Sequence, residues 1–441
     1  MSNPIIVAPA TALGGAIAVI RTSGEGSVAL CDRIFKGRKP LSEAKSHTIH
    51  YGTICDGERV VDDVVVAVFR APHSYTGEES VEISIHGSRY IAQEVIRLLC
   101  EQGAQMAEAG EFSQRALASG RIDLSQAEAV ADLIAAESRA AHAVAATQMR
   151  GGYSALLDEL REELLAVTTL LELELDFSEE DVEFADRVKL RSMIEKTDDA
   201  VVRLMESFKV GNAIREGVTV AIVGRPNVGK STLLNRLVGD DRAMVSDIAG
   251  TTRDTIEESV VIDDIRFRFV DTAGLHDTDD KLEKMGIERT ERAIQKAQIV
   301  LYMTEPQQPK LELPELGSEQ TLMLVVNKID TSSERNLEGA IYISAREGVG
   351  VDELRKALRA TVDTEGLYRG EVVVSNMRHF GALNLAHKGL VDALQALDNG
   401  ISEELLAEDI RSAITALAEI TGRITSEDVL RSVFSQFCIG K

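Results

Sequence analysis

The sequence predicts a β-rich α+β domain at the N-terminus, then a helical domain interrupted by a doubly wound α/β domain. Three observations predict this. Short β-branched runs such as VVDDVVVAVF and SVEISIHG fill residues 1–117. Ala, Leu and Glu dominate residues 118–212, where Gly and Pro thin out, and helical patterning returns over 367–441. Between those helical stretches, residues 213–366 alternate strand-like with helix-like runs, the rhythm of a parallel sheet covered by helices.

The opening run IIVAPATALGGAIAVI reads as strand, turn, strand. It lacks the cationic start of a signal peptide and is broken by Pro4, Pro9 and the Gly14–Gly15 pair. IAQEVIRLLCEQG reads as an amphipathic helix closed by Gly103. In the first helical stretch Leu156, Leu160, Leu164, Val167, Leu171 and Leu175 recur at three- and four-residue spacing, one face of a long helix. In the α/β stretch TVAIV, IRFRFV, TLMLVV and IYIS are the strands. The last stretch breaks at Gly400 and Gly422, and Thr425 three residues before Asp428 fits a capping box.

The 441 residues carry 48 Lys and Arg against 72 Asp and Glu, a net charge of -24. That balance excludes a general nucleic-acid binder and a docker on anionic membrane. Aromatics are 4% with no Trp, too few for stacking platforms along single strands. Cys31, Cys55, Cys100 and Cys438 form no CxxC pair and predict unbridged thiols in the cytoplasm. No run of 18 apolar residues occurs.

The chemistry is concentrated in five motifs. GRPNVGKS, Gly224 to Ser231, fits the phosphate loop GxxxxGK[ST], and it follows a strand and opens a helix as that motif requires. Its glycines let backbone N–H groups face phosphates. Lys230 is expected at the β- and γ-phosphates and Ser231 at Mg²⁺. DTAG, from Asp271 through Thr272 and Ala273 to Gly274, ends IRFRFV. Asp271 can hold Mg²⁺ through water, and the Gly274 N–H can meet the γ-phosphate. Between these lies DIAGTTRD, where Thr252 is the candidate γ-phosphate and Mg²⁺ sensor. NKID contributes Asn327, Lys328 and Asp330. A carboxylate at Asp330 pairs with the two N–H donors of guanine and would be left unpaired by adenine. Such paired polar contacts discriminate by about 10⁴ or more. SAREG contributes Ser344, Ala345 and Arg346, with the Ala345 N–H expected at the guanine carbonyl. The nucleotide site is thus expected to include Asn227, Val228, Gly229, Lys230, Ser231 and Thr232. From DIAGTTRD and the residue before it, the site takes Ser246, Asp247, Ile248, Ala249, Gly250, Thr251 and Thr252. The order and strand-end placement match a Ras-like P-loop GTPase domain with GTP as ligand.

One catalytic group is missing. Many switch GTPases place a water-orienting Gln after the DTAG glycine; here the residue is Leu275. Asn227 offers an amide oxygen for a monovalent cation near the phosphates. The acidic run HDTDDKLEKMG offers Asp279, Asp280 and Glu283, and the residues alone do not choose among them.

Taken together, IAVIRTSG, YTGEESVEISIHG, AGEFSQRALASGRIDLSQAEAVADLI, GRPNVGKSTLLN, DIAGTTRD, DTAGLH, GIER and the final FCIGK resemble the tRNA-modification GTPase family MnmE (TrmE) over nearly the whole chain. The resemblance implies a folate-binding-like N-terminal domain over 1–117. It implies a helical domain in two parts, 118–212 and 367–441, with the GTPase domain 213–366 inserted between them. It implies a tetrahydrofolate derivative (5-formyl or methylene) held by Arg21, Glu82, Arg121 and Lys441; the family pattern has Lys where this chain has Arg121. It implies K⁺ held through Asn227, Ser246, Ile248 and Thr251, and Glu283 setting up the attacking water. It implies a homodimer whose GTPase domains meet across their nucleotides, and an FAD-containing partner, MnmG (GidA), in a heterotetramer or larger complex. Together the partners would add a carboxymethylaminomethyl or aminomethyl group at carbon 5 of the wobble uridine of tRNA. Cys438 on the tail reads equally as a reactive thiol and as a small apolar residue. A ribosome-assembly or RNA-chaperone GTPase is the competing class; it predicts a basic RNA-binding module, and no segment is net basic.

Overall fold

A computed structural model describes residues 3–176, 187–241, 257–270, 291–307, 313–318, 320–332, 335–364, 367, 370–435, 437 and 440. The chain divides into two compact units. The first comprises residues 1–134, 148–185 and 402–441; the second comprises 135–147 and 186–401.

The first unit is built on a seven-stranded sheet of β1 (Ile6–Pro9), β2 (Ile17–Ser23), β3 (Phe35–Gly37), β4 (Thr48–Asp56), β5 (Arg59–Phe69), β6 (Ser80–His86) and β7 (Gln105–Met106), in the order β3-β4-β5-β6-β2-β1-β7. Neighbours run antiparallel except β1 and β7. The strand–turn–strand reading of the first residues holds. Period-two alternation decides the faces. Val64, Val66 and Val68 of β5 and Val81, Ile83 and Ile85 of β6 are buried. Helix Arg89–Glu101 lays Ala92, Val95, Leu98 and Leu99 into that same core. The opposite face carries Arg21 on β2 directly across from Glu82 on β6.

The helix expected around Leu164 runs Gly152–Asp176. Its buried face is Leu157, Leu160, Leu164, Val167 and Leu171, so Leu157 takes the inner position expected for Leu156. It packs on helix Glu403–Thr421, which buries Leu406, Ile410, Ala413, Leu417 and Ile420. Both sets repeat at alternating three- and four-residue spacing, so the side chains interdigitate along one seam. Helix Glu427–Phe434 begins one residue later than expected. Its N-cap is Ser426, whose hydroxyl accepts from the Val429 N–H, and not Thr425.

The second unit holds a six-stranded sheet of β8 (Val218–Gly224), β9 (Glu257–Ile262), β10 (Ile265–Val270), β11 (Ile299–Thr304), β12 (Thr321–Val326) and β13 (Ile341–Tyr342), in the order β13-β12-β11-β8-β10-β9. It is parallel, as expected, except for one additional edge strand. β9 pairs antiparallel with β10 through a turn at Asp263 and Asp264, whose φ angles of 44° and 71° are both left-handed. Two such residues match the twist of a tight hairpin. β8 and β11 are covered on both faces and read as nearly continuous apolar runs for that reason. Helices Arg187–Glu216 and Met377–Asp398 pack together, with Phe208 stacked on Phe380 at 4.4 Å. No described helix is long and apolar enough to cross a membrane.

Leu164→Ala should lower the unfolding free energy of the first unit by about 2–5 kcal/mol, because a buried leucine leaves a cavity. Leu156→Ala should cost well under half as much. Chemical denaturation followed by circular dichroism measures both, and equal losses would contradict the assignment of the buried face.

Candidate active site

The phosphate loop, NKID and SAREG converge at the C-terminal edge of the second unit's sheet. β8 lies between β10 and β11, so the chain departs to opposite sides of it. A crevice opens at such a switch point, beyond the strand ends. The phosphate loop leaves β8 there and runs into helix Lys230–Asp241. Gly224 (φ 148°), Asn227 (φ 63°) and Gly229 (φ 103°) take positive φ, which turns successive N–H groups toward one concavity. The helix N-terminus adds its partial positive charge to the same point. Lys230 Nζ donates to the carbonyls of Gly224 (2.8 Å) and Arg225 (3.0 Å), so the ammonium is held over the loop. Val228 is buried, while Asn227, Ser231 and Thr232 are exposed.

Asn327, 3% exposed at the end of β12, joins this loop to its neighbours. Its Nδ2 donates to Val228 O at 2.8 Å, and its Oδ1 accepts from the Ala345 N–H at 2.9 Å. One buried amide therefore ties the phosphate loop, NKID and SAREG together. The fit explains Gly229, where a Cβ would stand 2.2 Å from Asn327 Nδ2. The Ala345 N–H, expected at the guanine carbonyl, is directed at Asn327 instead.

Asp330 is exposed and is held below the usual carboxylate range. The causes are a hydrogen bond from Ser344, then one from its own backbone. A carboxylate kept ionised accepts only, which is what the two donors of guanine require. Ser344 is 1% exposed and braces the turn: its Oγ accepts from Glu347 N at 3.2 Å, and its carbonyl from Gly348 N at 2.8 Å. Lys328 takes φ 66° and pairs with Glu305 at 2.6 Å. The Arg346 side chain is exposed and its carbonyl accepts from Arg236. Ser246, Asp247, Ile248, Ala249, Gly250, Thr251, Thr252, Asp271, Thr272, Ala273, Gly274, Glu283, Cys438 and Lys441 lie outside the described residues.

The first unit gathers the other candidates. Arg21 and Glu82 form an ion pair at 2.8 Å, set by the register of β2 against β6. The Arg21 guanidinium lies 5.5 Å from the Tyr75 ring centre and 5.8 Å from that of Phe112. Cation–π attraction and the carboxylate together fix its plane. Arg121 lines an open cleft of about 360 Å³ with His47, Phe69, His73, Ser74 and Tyr75. Tyr75 thus links Arg121 to the Arg21–Glu82 pair.

A polar network holds the Tyr75 loop. Arg115, 7% exposed, donates to Glu78 at 3.0 Å and Glu111 at 2.8 Å. Glu78 accepts from Ser23 (2.8 Å), whose hydroxyl meets that of Thr76 at 2.6 Å. The Tyr75 hydroxyl bonds Ser113 at 2.8 Å. Tyr75, Phe112 and Arg115 were missed as individual site residues, although they lie inside the YTGEE and EFSQRA blocks.

The C-terminal segment returns to this sheet. Phe434 and Phe437 pack with Leu124 and Ala127, and a Cβ on Gly440 would stand 2.0 Å from Pro9 O. Pro9 pairs with Ile20, the neighbour of Arg21. Cys31, Cys55 and Cys100 are free thiols, and burial pushes Cys31 up to about 12.

Comparison with known proteins settles the family. Residues 5–121 match the family model of the GTP-binding protein TrmE N-terminus, and residues 124–438 match that of the MnmE helical domain. A tRNA modification GTPase MnmE of Bacteroides thetaiotaomicron is 46% identical over 465 residues, covering 100% of both chains. That of Flavobacterium johnsoniae is 46% identical over 99% of both, and that of Porphyromonas gingivalis 46% over 99% of this chain and 98% of its own. The chain belongs to the MnmE family. It is a GTP hydrolase with the three-part architecture of that family: TrmE-type N-terminal domain, helical domain and P-loop GTPase domain. Membership in the MnmE family brings nucleotide and Mg²⁺ binding with it. Among solved structures, an Era GTPase of Aquifex aeolicus aligns with 39% of this chain and 66% of its own at 26% identity and a TM-score of 0.24; the family assignment does not rest on it.

Asn327→Ala should leave the Val228 carbonyl and the Ala345 N–H without partners, at about 1–3 kcal/mol each. Guanine-nucleotide affinity should fall by roughly tenfold or more. Titration with a fluorescent GDP analogue measures this, and unchanged affinity would contradict the bridging role.

Proposed function

We propose that this chain is a K⁺-dependent GTP hydrolase acting with an FAD-containing, MnmG-like partner. Together they add a carboxymethylaminomethyl or aminomethyl group at carbon 5 of the wobble uridine of tRNA. What supports it most is that one chain holds two distinct sites: a nucleotide loop braced by Asn327, and an Arg21–Glu82 pair over aromatic rings in the other unit. A hydrolase alone needs only the first.

At the nucleotide site Lys230 binds the phosphates, Ser231 and Thr252 hold Mg²⁺, and Asp330 selects guanine. With Leu275 where a water-orienting Gln is common, positive charge must come from elsewhere. Asn227 fits that need. It is exposed at the loop, and its left-handed backbone is one Asn tolerates. K⁺ held through Asn227, Ser246, Ile248 and Thr251 supplies charge near the phosphates, and Glu283 positions the attacking water. Two GTPase domains, each residues 213–366 inserted in the helical domain, meet across this face in a homodimer.

At the other site Arg21, Glu82, Arg121 and Lys441 bind a tetrahydrofolate derivative, which supplies the carbon; the partner's flavin supplies the redox step. Gly440, seated beside Pro9, brings the tail toward this site. Cys438 on that tail serves as its candidate nucleophile or proton donor. The net charge of -24 makes the partner the main holder of tRNA phosphates, in the cytoplasm where tRNA is modified.

GTP turnover should be markedly faster in K⁺ than in Na⁺ at equal ionic strength, and Asn227→Ala should erase the difference. Steady-state phosphate release in the two salts measures it; equal rates for the unaltered protein would contradict the cation role.

A further inference from the structure

We infer that Arg236 is a positioning residue for guanine recognition: from the helix that opens at the phosphate loop it fixes the SAREG turn on which Asp330 leans. This rests on the reading of Asp330 as the guanine acceptor. Arg236 is half-buried on helix Lys230–Asp241. Its Nε donates to Ala345 O at 3.4 Å, and its Nη2 donates to Arg346 O. A rigid forked donor on two successive carbonyls fixes the course of the backbone it grips. Gly348 completes the fit. A Cβ there would lie 3.7 Å from Arg236 Cζ, so the guanidinium rests against the far end of the turn. Among the described residues Arg236 pairs with no carboxylate, and its hydrogen bonds go to these two carbonyls. The neighbouring Arg346 side chain turns to Glu347 instead, at 3.7 Å.

The reason for a second tether is mechanical. Asn327 joins the phosphate loop to SAREG at Val228 and Ala345, and one small amide leaves a pivot between them. Arg236 grips the same turn from a point about 9 Å further along the helix than Lys230. Two separated attachments remove the rotation that one allows. Ala345 is held on both sides, its N–H by Asn327 and its carbonyl by Arg236. The residue before it, Ser344, is the one that hydrogen-bonds Asp330. A displaced turn would therefore reach the carboxylate in a single step. A link of opposite sense closes the circuit: Arg355, on helix Val351–Ala360, donates to Leu237 O at 3.3 Å. Leu233, Leu237, Val351 and Leu354 share one buried core with Ala345. That apolar packing would hold the two helices together whatever the base; the contacts of Arg236 fall on the turn beside Ser344.

The test is stopped-flow release of fluorescent GDP and IDP analogues from the full-length chain with Mg²⁺. IDP lacks the 2-amino group, so it gives Asp330 one hydrogen bond in place of two. Arg236→Met keeps the apolar stem and removes the donors. Arg236→Lys is milder, keeping the charge and losing the fork. Thermal melts confirm folding, and Arg236→Lys alone decides the matter if Arg236→Met does not fold. The unaltered chain should release IDP at least about tenfold faster than GDP. Arg236→Met should quicken GDP release by about tenfold and IDP release by about threefold or less, so that the ratio shrinks. Arg236→Lys should shrink it by a smaller factor. Equal acceleration of both nucleotides, or of neither, overturns the positioning role and leaves Asp330 as the guanine acceptor. Equal release of GDP and IDP from the unaltered chain overturns both.

Discussion

The nucleotide site depends on one buried side-chain amide. Three loops that read a guanine nucleotide leave three different strand ends, and nothing in a parallel sheet fixes those loops to one another. Asn327 does so with both ends of its amide, toward Val228 O and from the Ala345 N–H. Neither group could be left buried without a partner. Only an amide has a donor and an acceptor on one planar head of this size. The constraint spreads outward: it requires glycine at 229, it spends the Ala345 N–H, and it sets the turn on which Ser344 keeps Asp330 ionised.

The first unit solves a similar problem with charge. There the site lies on the sheet face turned away from the Val-rich core, and the β2–β6 register brings Arg21 onto Glu82. Tyr75 reaches this pair from a loop held by Arg115, Glu78, Ser23 and Thr76. A buried ion pair is weak evidence for stability, but it fixes a conformation where its geometry is satisfied. In this loop it fixes Tyr75, which borders both the Arg21–Glu82 pair and the Arg121 cleft.

Most of the architecture was legible in the sequence because it rests on periodicity and on motifs that name their own strand ends. TVAIV and TLMLVV end where their motifs require, and the Leu164 helix lies where its spacing placed it. β9 escaped because EESVVI opens with two acids and its turn is Asp-Asp, a weaker hairpin signal than Asn-Gly. Leu156 and Leu157 both satisfy a helical stripe, and only packing against the partner helix chooses between them. Thr425 and Ser426 are both cap residues, and backbone geometry chose the second. Arg21 and Glu82 could be named, but their pairing needs a register across 61 residues of sequence. The bridge through Asn327 links residues 99 apart and 18 apart, a relation no local pattern encodes.

The central claim is that GTP hydrolysis by this chain serves chemistry on tRNA. It is tested most directly by mass spectrometry of nucleosides from tRNA of cells lacking the chain. The account predicts that the carbon-5 aminomethyl-type modification of the wobble uridine disappears and returns when the chain is restored. Wobble uridine modified to the same extent with and without the chain would contradict it.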